Sequence, residues 1–579
     1  MNQNIECLEI LRHSAAHMLA EAVKEMFPDA KFGIGPSIEN GFYYDFDLPR
    51  TLAPEDLPVL EKKMKEISKK NAPFTHWEIS KTEAKEIFKD QPYKLEIIDE
   101  LEGNNVTIYS QGSFTDLCRG PHVAKTHEVR AFKLTSIAGA YWRGDEHKPM
   151  LQRVYGTAFE TEAELTDYLA MLEEAARRDH RKLGKDLDIY SVHKEIGPGL
   201  ICWHPSGGTI RSAIEDFWRD EHRKRGYDLV FTPHIANVGL WKISGHWDFY
   251  RENLYSPMDI DGEEYIIKPM NCVFHIMIYK NRMHSYRELP LRYAELGTVY
   301  RYERSGALHG LSRVRGFTQD DAHIFCRPDQ LEEEVVAVLD LANFMIKTFG
   351  FSKYKMMLST RPEKAFGSEE IWEKATSTLE AALCKREIPY EVDPGEGVFY
   401  GPKIDIKFED AMGRLWQGPT IQIDFNMPQK FDVNYIGEDG QEHRTVMVHR
   451  TVLGSMERFT SCILENYGGA FPAWLSPVQV VVLPIAERHA DYGERIYKEL
   501  KDAGVRAQIN ASSETISKRI REAQMIKAPY MLVLGDRETQ DGTVSVRLRN
   551  GQQLTDLPLL EFKDKLLDNI AKRDLDIAL

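Results

Sequence analysis

Six strand-like runs between residues 186 and 470 constrain the fold of this chain more than any other feature. They read DLVFTPHI, YIIKPM, AELGTVYRYE, GFTQDDAHIF, KIDIKF and TIQIDF, and they contain charges and alternate polar with apolar positions. A strand of a parallel sheet covered by helices is apolar almost throughout. The alternation therefore predicts an antiparallel sheet with one polar, working face.

The two ends of the chain have different patterns. Near Pro472 and Pro477 the pattern changes, and the apolar run PVQVVVLPI begins a β-α-β-α-β order, which predicts a small parallel α/β domain. The first 150 residues mix helix and strand patterns with Gly and Pro breaks, and one helical face carries Leu8, Leu11, Ala15, Met18, Leu19 and Ala22. The stretch TEAELTDYLAMLEEAARRDHRKLGKDL predicts a helix that connects the first 150 residues to the strand-rich region after residue 186.

Composition excludes several classes of protein. The 579 residues include 42% hydrophobic and 28% charged side chains, as in ordinary globular proteins, and contain no apolar window long enough to span a membrane. The N-terminus lacks a signal-peptide pattern, so we expect a cytoplasmic protein. Seven scattered cysteines do not predict a disulfide framework. The net charge of −16 argues against unspecific coating of nucleic acid but permits a local basic surface.

Two segments carry chemistry suited to a nucleotide. Residues 300–323, YRYERSGALHGLSRVRGFTQDDAH, place Arg301, Glu303 and Arg313 around a loop, and GSMERF places Arg458 one turn into a helix that Gly454 opens. Arginine forks onto phosphate, and a carboxylate accepts from the adenine amino group. The sequence has no Walker A loop and no GxGxxG, so arginines on an antiparallel sheet must bind the phosphates. A lone arginine pair would indicate only surface salt bridges, but the two segments together are specific.

These segments resemble motifs 2 and 3 of class II aminoacyl-tRNA synthetases, and IRSAIEDFWRDEHRKRGYDLVFTP resembles motif 1, which implies a homodimer. KPMNC, GFTQDDAHIF, LSTRPEK, FYGPKIDI, VHRTVLGSMERF and PYMLVLGD resemble the threonyl-tRNA synthetases within that class. The resemblance covers the whole chain. It implies a multidomain α+β and α/β fold: an N-terminal α+β editing domain at 1–155, a connecting helix at 156–185, a class II antiparallel-sheet catalytic core at 186–472 and an α/β anticodon-binding domain at 473–579.

The implied activity has two parts. A threonine–tRNA ligase activates L-threonine with ATP and Mg²⁺ to threonyl-adenylate and pyrophosphate, transfers threonine to tRNA(Thr), and hydrolyses mischarged Ser-tRNA(Thr). Another specificity of the class, such as prolyl or seryl, is one alternative. A non-catalytic, synthetase-derived RNA-binding regulator is the other, and it would need eroded phosphate ligands, whereas Arg301, Glu303 and Arg458 are all present.

The resemblance also implies roles for residues of the synthetic site. Arg301 and Arg458 would bind the α- and γ-phosphates, and His246 would deprotonate the tRNA ribose hydroxyl. The remaining ATP ligands would be Glu303, Arg313, Gln417 and Gln422, and the pocket for the amino acid would be formed by Gln319, Asp321, Tyr400 and Lys403. Cys272, His323 and His449 are too far apart for spacing to predict a metal, but they match the ligands of one Zn²⁺ per subunit with an open fourth position.

A second, hydrolytic site is expected because serine differs from threonine by one methyl group, worth only ~1–3 kcal/mol of discrimination. His13 and His17 lie four apart on a helix, and DLCRGPH supplies Asp116, Cys118 and His122. The spacing HxxxH with CxxxH would suit zinc. The resemblance implies instead a polar editing site without a required metal, which also includes Tyr44 and Lys94. There His13, Lys94 and Asp116 would place a water against the seryl ester; a nucleophilic Cys118 is the alternative.

The anticodon end and a few departures complete the expectations. Glu538 and Arg547 match positions that read anticodon bases, although each would otherwise be an ordinary surface salt-bridge residue. The chain begins at the editing helix, so we expect no ubiquitin-like domain before it. The chain departs from the family pattern at three sites: Val273-Phe274 replaces Pro-Gly, Gly418-Pro419 replaces Cys-Gly, and Ser513 replaces asparagine.

Overall fold

The computed structural model describes residues 2–410 and 413–579 and divides the chain into two compact units, Met1–Glu174 and Ala175–Leu579. Among the described residues, no helix has the length and apolar character needed to cross a bilayer.

The unit Met1–Glu174 is an α+β structure with two antiparallel sheets. Its elements are α1 Asn2–Met26, β1 Lys31–Phe32, β2 Ser37–Ile38, β3 Gly41–Asp47, α2 Asp56–Lys70, β4 Thr75–Ser80, α3 Lys81–Ile87, α4 Pro92–Glu100, β5 Asn105–Gln111, β6 Phe114–Leu117, β7 Ala131–Tyr141 and β8 Met150–Phe159. The larger sheet has the order β1-β3-β8-β7 with β2 on β3, and the smaller has the order β4-β5-β6.

Helix α1 packs its apolar face against the larger sheet. Leu11, Ala15 and Met18 are buried in one core with Phe42 and Phe46 of β3. Their spacing of three and four residues is the helical period predicted from the sequence, so the predicted apolar face is confirmed. The same helix carries the two histidines of the expected editing site.

The first part of the unit Ala175–Leu579 surrounds the largest sheet. Its elements, after α5 Glu162–Arg178, are α6 His180–Asp186, β9 Tyr190–Ser191, β10 Cys202–Trp203, α7 Pro205–Lys224, β11 Asp228–Leu229, β12 Ile235–Asn237, α8 Gly239–Ser244, α9 His246–Phe249, β13 Met258–Ile260, β14 Glu263–Ile267, α10 Cys272–Tyr279, β15 His284–Ser285, β16 Leu291–Tyr300, β17 Gly316–Cys326, α11 Leu331–Thr348, β18 Tyr354–Ser359, α12 Glu369–Lys385, β19 Tyr390–Asp393, β20 Lys403–Glu409, β21 Leu415–Asp424, α13 Asn426–Lys430, β22 Asn434–Ile436, β23 Glu442–Arg444, β24 Val446–Thr451 and α14 Met456–Tyr467.

The central sheet has eight strands in the order β11-β16-β17-β24-β21-β20-β18-β19. Its five inner pairings are antiparallel, and only the edge pairs β11-β16 and β18-β19 are parallel. The predicted antiparallel working sheet is therefore confirmed, with two parallel edges that the strand patterns did not indicate. Apolar side chains of α11 and α12 share a single core with these strands, which leaves the polar face to form the site.

One predicted strand belongs elsewhere. YIIKPM contributes to β14, which pairs with β12 and β13 in a separate three-stranded sheet. Alternation marks a half-buried strand but does not indicate which sheet it joins. The connecting helix predicted at 156–185 differs at both of its parts: residues 156–159 are the end of strand β8, and the rest is two helices. Asp179 interrupts the helix because its side chain accepts from the backbone N–H of Arg181 and caps α6.

The C-terminal part is the predicted α/β structure with an addition. Its elements are β25 Val480–Pro484, α15 Ala490–Asp502, β26 Ala507–Ile509, α16 Ile516–Met525, β27 Tyr530–Leu534, α17 Asp536–Asp541, β28 Thr543–Leu548, β29 Gln553–Pro558 and α18 Leu559–Lys572. Strands β26, β25 and β27 are parallel, as predicted, and β28 and β29 extend the sheet antiparallel.

Candidate functional site

The polar face of the central sheet lines two neighbouring cavities. One, of about 300 Å³, is lined by Cys272, Arg301, Gln319, Asp321, His323, Tyr400, Gln422 and His449 among others. The second, of about 280 Å³, is lined by Arg301, Glu303, Arg313, Gln319, Gln417, Gln422 and Arg458 among others. Arg301, Gln319 and Gln422 border both cavities. Residues far apart in sequence are thus brought to one continuous surface.

Strand geometry explains this gathering. Gln319, Asp321 and His323 alternate along β17 and so share one face. Across the sheet, His323 is in register with His449 of β24, which is in register with Gln422 of β21. Three neighbouring strands therefore each supply a side chain to the same row.

The expected zinc ligands Cys272, His323 and His449 are buried and line the first cavity. The rings of His323 and His449 lie 4.6 Å apart, centroid to centroid. The ligand atoms of the three residues do not all lie within 4.8 Å of one another. Among the described residues, the sets that do are Asp179, His180 and Glu465, and His13, His17, Cys118 and His122.

The surroundings of the two histidines fit a metal. Nε2 of His449 donates to Asp424 Oδ2 at 3.0 Å, while Nδ1 of His323 lies 2.9 Å from Nδ1 of His275, which is bonded in turn to Glu295. Metal-bound imidazoles commonly give their other nitrogen to a carboxylate or a similar partner. The sequence analysis did not predict the residues that bond to these histidines, Asp424, His275 and Glu295. For His275, the spacing C-x-x-H in α10 was a local signal.

The second cavity brings together the arginines of the two phosphate segments. Strand β16 ends at Tyr300, so Arg301 and Glu303 lie in the loop rather than on the strand, yet both line the cavity. Arg313 Nε donates to Glu303 Oε2 at 3.0 Å, and Arg458 Nε donates to Ser312 O at 3.0 Å. The helix with Arg458 begins after Ser455, whose hydroxyl caps it.

Two expected residues have other surroundings. Lys403 is not among the lining residues of either cavity, and its ammonium pairs with Asp405 at 2.7 Å. His246 is fully buried near the Phe399 ring, and its Nδ1 donates to Ser244 Oγ at 2.7 Å. Burial, with a smaller effect of the nearby His449, lowers the pKa of His246 to about 3. Nε2 of this neutral ring has no hydrogen-bond partner within the described chain.

The N-terminal unit has its own polar cavity, of about 510 Å³, lined by His13, His17, Lys94, Asp116 and Cys118 among others. Lys94 Nζ pairs with Asp116 Oδ1 at 2.5 Å, and the buried Tyr44 hydroxyl donates to Asp116 Oδ2 at 2.5 Å. The expected editing residues therefore meet in one place.

A sulfur–imidazole cluster adjoins this carboxylate. Cys118 Sγ lies 3.3 Å from Nε2 of both His13 and His122, and Ser14 Oγ contacts the other ring nitrogen of His122 at 3.1 Å. Burial raises the pKa of Cys118 to about 11 and lowers the pKa values of His13 and His122. The sulfur is thus a thiol at neutral pH, which disfavours a nucleophilic role. Ser14 was not predicted.

The expected anticodon residues lie on one side of the C-terminal sheet. Glu538 accepts from the hydroxyl of Ser545 at 2.6 Å and from the backbone N–H of Gly535 at 2.8 Å. Ser545 and Arg547 alternate on β28 and so share a face. Glu538 is thus held near Arg547 by a helix cap. Ser513 is exposed, in the loop before α16.

Comparisons with known proteins agree over the whole chain. Family models match the tRNA synthetase class II core domain (G, H, P, S and T) at 255–467, the anticodon binding domain at 479–569, and the threonyl and alanyl tRNA synthetase second additional domain at 106–155. A threonine–tRNA ligase from Dehalococcoides mccartyi (strain CBDB1) is 65% identical over 99% of this chain and 98% of its own length. One from Thermotoga maritima is 53% identical over 99% of this chain and 90% of its own length.

A solved structure agrees as well. The RNA binding domain of threonyl-tRNA synthetase from Cryptosporidium parvum is 41% identical, covers 69% of this chain and 99% of that chain, and superposes with a TM-score of 0.66. Together with the class II core, the editing-type domain and the anticodon-binding domain, these relatives establish that the chain belongs to the threonine–tRNA ligase family, the threonyl-tRNA synthetases of class II.

Proposed function

We propose that this chain activates L-threonine with ATP and transfers it to tRNA(Thr), acting as a threonine–tRNA ligase. The observation that carries the proposal is the pair of cavities bordered in common by Arg301, Gln319 and Gln422. Threonine held in one and ATP in the other would meet at that border. Holding two reactants in this way makes their reaction effectively unimolecular.

Arginines carry the charge of the first step. Arg301 binds the α-phosphate and Arg458 the γ-phosphate, while Glu303, Arg313 and Gln417 hold adenine, phosphate and ribose groups of ATP, which enters with Mg²⁺. The threonine carboxylate attacks the α-phosphorus, and the bond to pyrophosphate breaks. Fixed guanidinium groups stabilise the negative charge that spreads over the phosphates.

Cys272, His323 and His449 are proposed to hold one Zn²⁺ per subunit, supported by the carboxylate and imidazole behind the two histidines. When bound, the metal supplies positions for the amino group and hydroxyl of threonine, so valine would leave one position unfilled. Asp321 receives the amino group. Gln319, Tyr400 and Lys403 are assigned to the substrate pocket; Lys403 must first exchange its partner Asp405.

His246 is proposed to accept the proton of the tRNA ribose hydroxyl in the transfer step. Its Nδ1 is engaged by Ser244, and its Nε2 is unpartnered, which fixes the neutral tautomer with an acceptor at Nε2. The support is this geometry, which leaves the lone pair of Nε2 free to accept a proton. The lowered pKa keeps the ring neutral at physiological pH but also makes it a weaker base.

The unit Met1–Glu174 is proposed to hydrolyse Ser-tRNA(Thr). Burial lowers the pKa of His13 and so keeps it a neutral imidazole at the cavity that also holds the ion pair of Lys94 with Asp116. There it can orient a water toward the seryl ester. The other polar residues assigned to this editing site are His17, Tyr44, Cys118 and His122. The domain limits 1–155, 156–185, 186–472 and 473–579 belong to this proposal.

Binding of tRNA and self-association complete the proposal. Glu538 and Arg547 read anticodon bases from β28 and the start of α17. The chain forms a homodimer through the motif 1 segment, in which the exposed ring of Phe231 is available to a second copy. Sedimentation tests the dimer. We also propose a cytoplasmic location, where the tRNA is used.

The experiment that tests the function is amino-acid-dependent ATP–pyrophosphate exchange on metal-analysed protein with threonine, serine, valine and proline. We expect exchange with threonine, weaker exchange with serine, none with valine, and about one zinc per chain. Exchange with proline instead would indicate another specificity of the class. No exchange with any of the four would refute the proposal and leave the non-catalytic RNA-binding alternative.

A further inference from the structure

The buried imidazole of His180 connects helix α6, helix α14 and the loop of Arg313 within the unit Ala175–Leu579. His180 begins α6 and is fully buried. Its Nδ1 donates to Glu465 Oε1 at 2.5 Å, and its backbone N–H donates to the same oxygen at 3.1 Å. Its Nε2 accepts from the backbone N–H of Leu311 at 3.1 Å. Glu465 lies on α14, the helix that carries Arg458, and Leu311 lies in the loop of Arg313.

The loop is shaped to receive this ring. Gly310 has φ +48°, and a Cβ built on it would lie 2.1 Å from His180 Nε2, so a larger residue has no space there. Leu311, next in sequence, has a side chain with no exposed surface. The backbone of the loop therefore sits directly on the imidazole.

The other side of the loop is held by a residue that the reaction uses. Arg458 Nε donates to the carbonyl of Ser312, one residue after Leu311. Arg458 uses only its Nε here, so its two Nη groups are the ones that would meet the γ-phosphate, as proposed above. Arg458 and His180 therefore hold neighbouring residues of the loop, Ser312 and Leu311.

We propose that His180 is a positioning residue for adenylate formation, which holds residues 309–313 so that Arg313 and Glu303 meet ATP. The inference rests on the proposed function. His180 contacts no substrate; it acts through Leu311. Glu465 determines its tautomer, because a carboxylate on Nδ1–H leaves the lone pair of Nε2 for the loop.

The test is ATP–pyrophosphate exchange by the full chain with His180→Ala, His180→Gln and His284→Ala. His284 is a matched control, a buried imidazole bonded to the carbonyl of Tyr279. We expect His180→Ala to raise KM for ATP about tenfold, as loss of one buried hydrogen bond predicts, with KM for threonine within about twofold. Glutamine, which can donate and accept at the same two places, should restore most of the ATP affinity.

A double-variant cycle tests the contact with the loop. Gly310→Ala should raise KM for ATP, and in the His180→Ala background it should raise it less, because the clashing ring is gone. Equal fold-changes in both backgrounds, an unchanged KM for ATP in His180→Ala, or parallel rises for ATP and threonine would each overturn the inference. If His180→Ala does not fold, Gly310→Ala decides: a raised KM for ATP with an unchanged KM for threonine supports the inference, and an unchanged KM for ATP overturns it. Wild-type protein without exchange would instead refute the proposed function.

Discussion

Removal of the acidic side chain of Asp320, on β17, should strongly destabilise this fold. Its side chain is fully buried and accepts from Trp218 Nε1 at 2.7 Å, Arg450 Nη1 at 3.0 Å, Val452 N at 2.7 Å and Leu453 N at 2.6 Å. One carboxylate thus satisfies four buried donors. It also fixes the turn that leads from β24 into α14.

The expected loss of stability can be worked out for the change Asp320→Asn. The volume is kept, but the charge opposite Arg450 is lost, and both side chains of this ion pair have no exposed surface. Breaking a buried pair while one charge remains costs about 3–5 kcal/mol. The new amide also turns a donor toward backbone N–H groups, which adds to the cost. We therefore expect a loss of at least ~3 kcal/mol, a large part of a stability of about 5–15 kcal/mol.

The assay is urea unfolding of the full chain followed by tryptophan fluorescence. Asp320→Asn should shift the midpoint of the catalytic unit down, and the double variant Asp320→Asn/Arg450→Met should recover much of the loss, because no unpaired charge is left. Asp216→Asn is the control: this exposed aspartate pairs with Arg219 on α7, and its loss should cost at most ~0.5 kcal/mol. A midpoint for Asp320→Asn equal to that of the control, or no recovery in the double variant, would refute the reasoning.

Three further predictions concern pH, metal and editing. Burial raises the pKa of Glu457 from 4.5 to about 7, so the folded state favours its protonated form. The free energy of unfolding of the wild type, measured relative to that of Glu457→Gln, should be greatest below pH 4.5 and fall by up to ~3 kcal/mol as the pH rises to 7. A difference between the two proteins that does not change with pH would contradict this. Cys272→Ala should lose zinc and threonine-dependent exchange together, while Cys326→Ala, at another buried cysteine, keeps both; retained exchange in Cys272→Ala would contradict the metal role. His13→Ala should charge tRNA almost normally and accumulate Ser-tRNA, measured with labelled serine, and equal accumulation in wild type would count against editing there.

Local patterns predicted those features that depend on one strand or one helix. The period of two in GFTQDDAHIF places Gln319, Asp321 and His323 on one face, and in β17 they do share a face. The period of the first helix likewise predicted its buried face. In these segments the nearest neighbours in sequence decide the orientation of each side chain, so no knowledge of the rest of the fold was needed.

The residues that form hydrogen bonds with the expected zinc ligands could not be predicted in this way. Asp424 reaches His449 only because β21 pairs with β24, and Glu295 reaches His323 only through His275 of α10. Such contacts depend on the order of strands in the sheet, which alternation does not encode. The break in the connecting helix is different: Asp179 is a common capping residue, and a closer reading of the sequence could have found it.

Burial, rather than residue type, determines which chemistry the N-terminal site can use. The same desolvation raises the pKa of Cys118 and lowers the pKa of His13, so both groups are neutral near pH 7. The charged groups of the site are Lys94 and Asp116, which pair with each other, and Asp116 also accepts a hydrogen bond from Tyr44. A thiolate nucleophile would have to be formed against its environment, whereas a neutral imidazole already has a lone pair to accept a proton from water. Hydrolysis by an oriented water is therefore the chemistry that this arrangement favours.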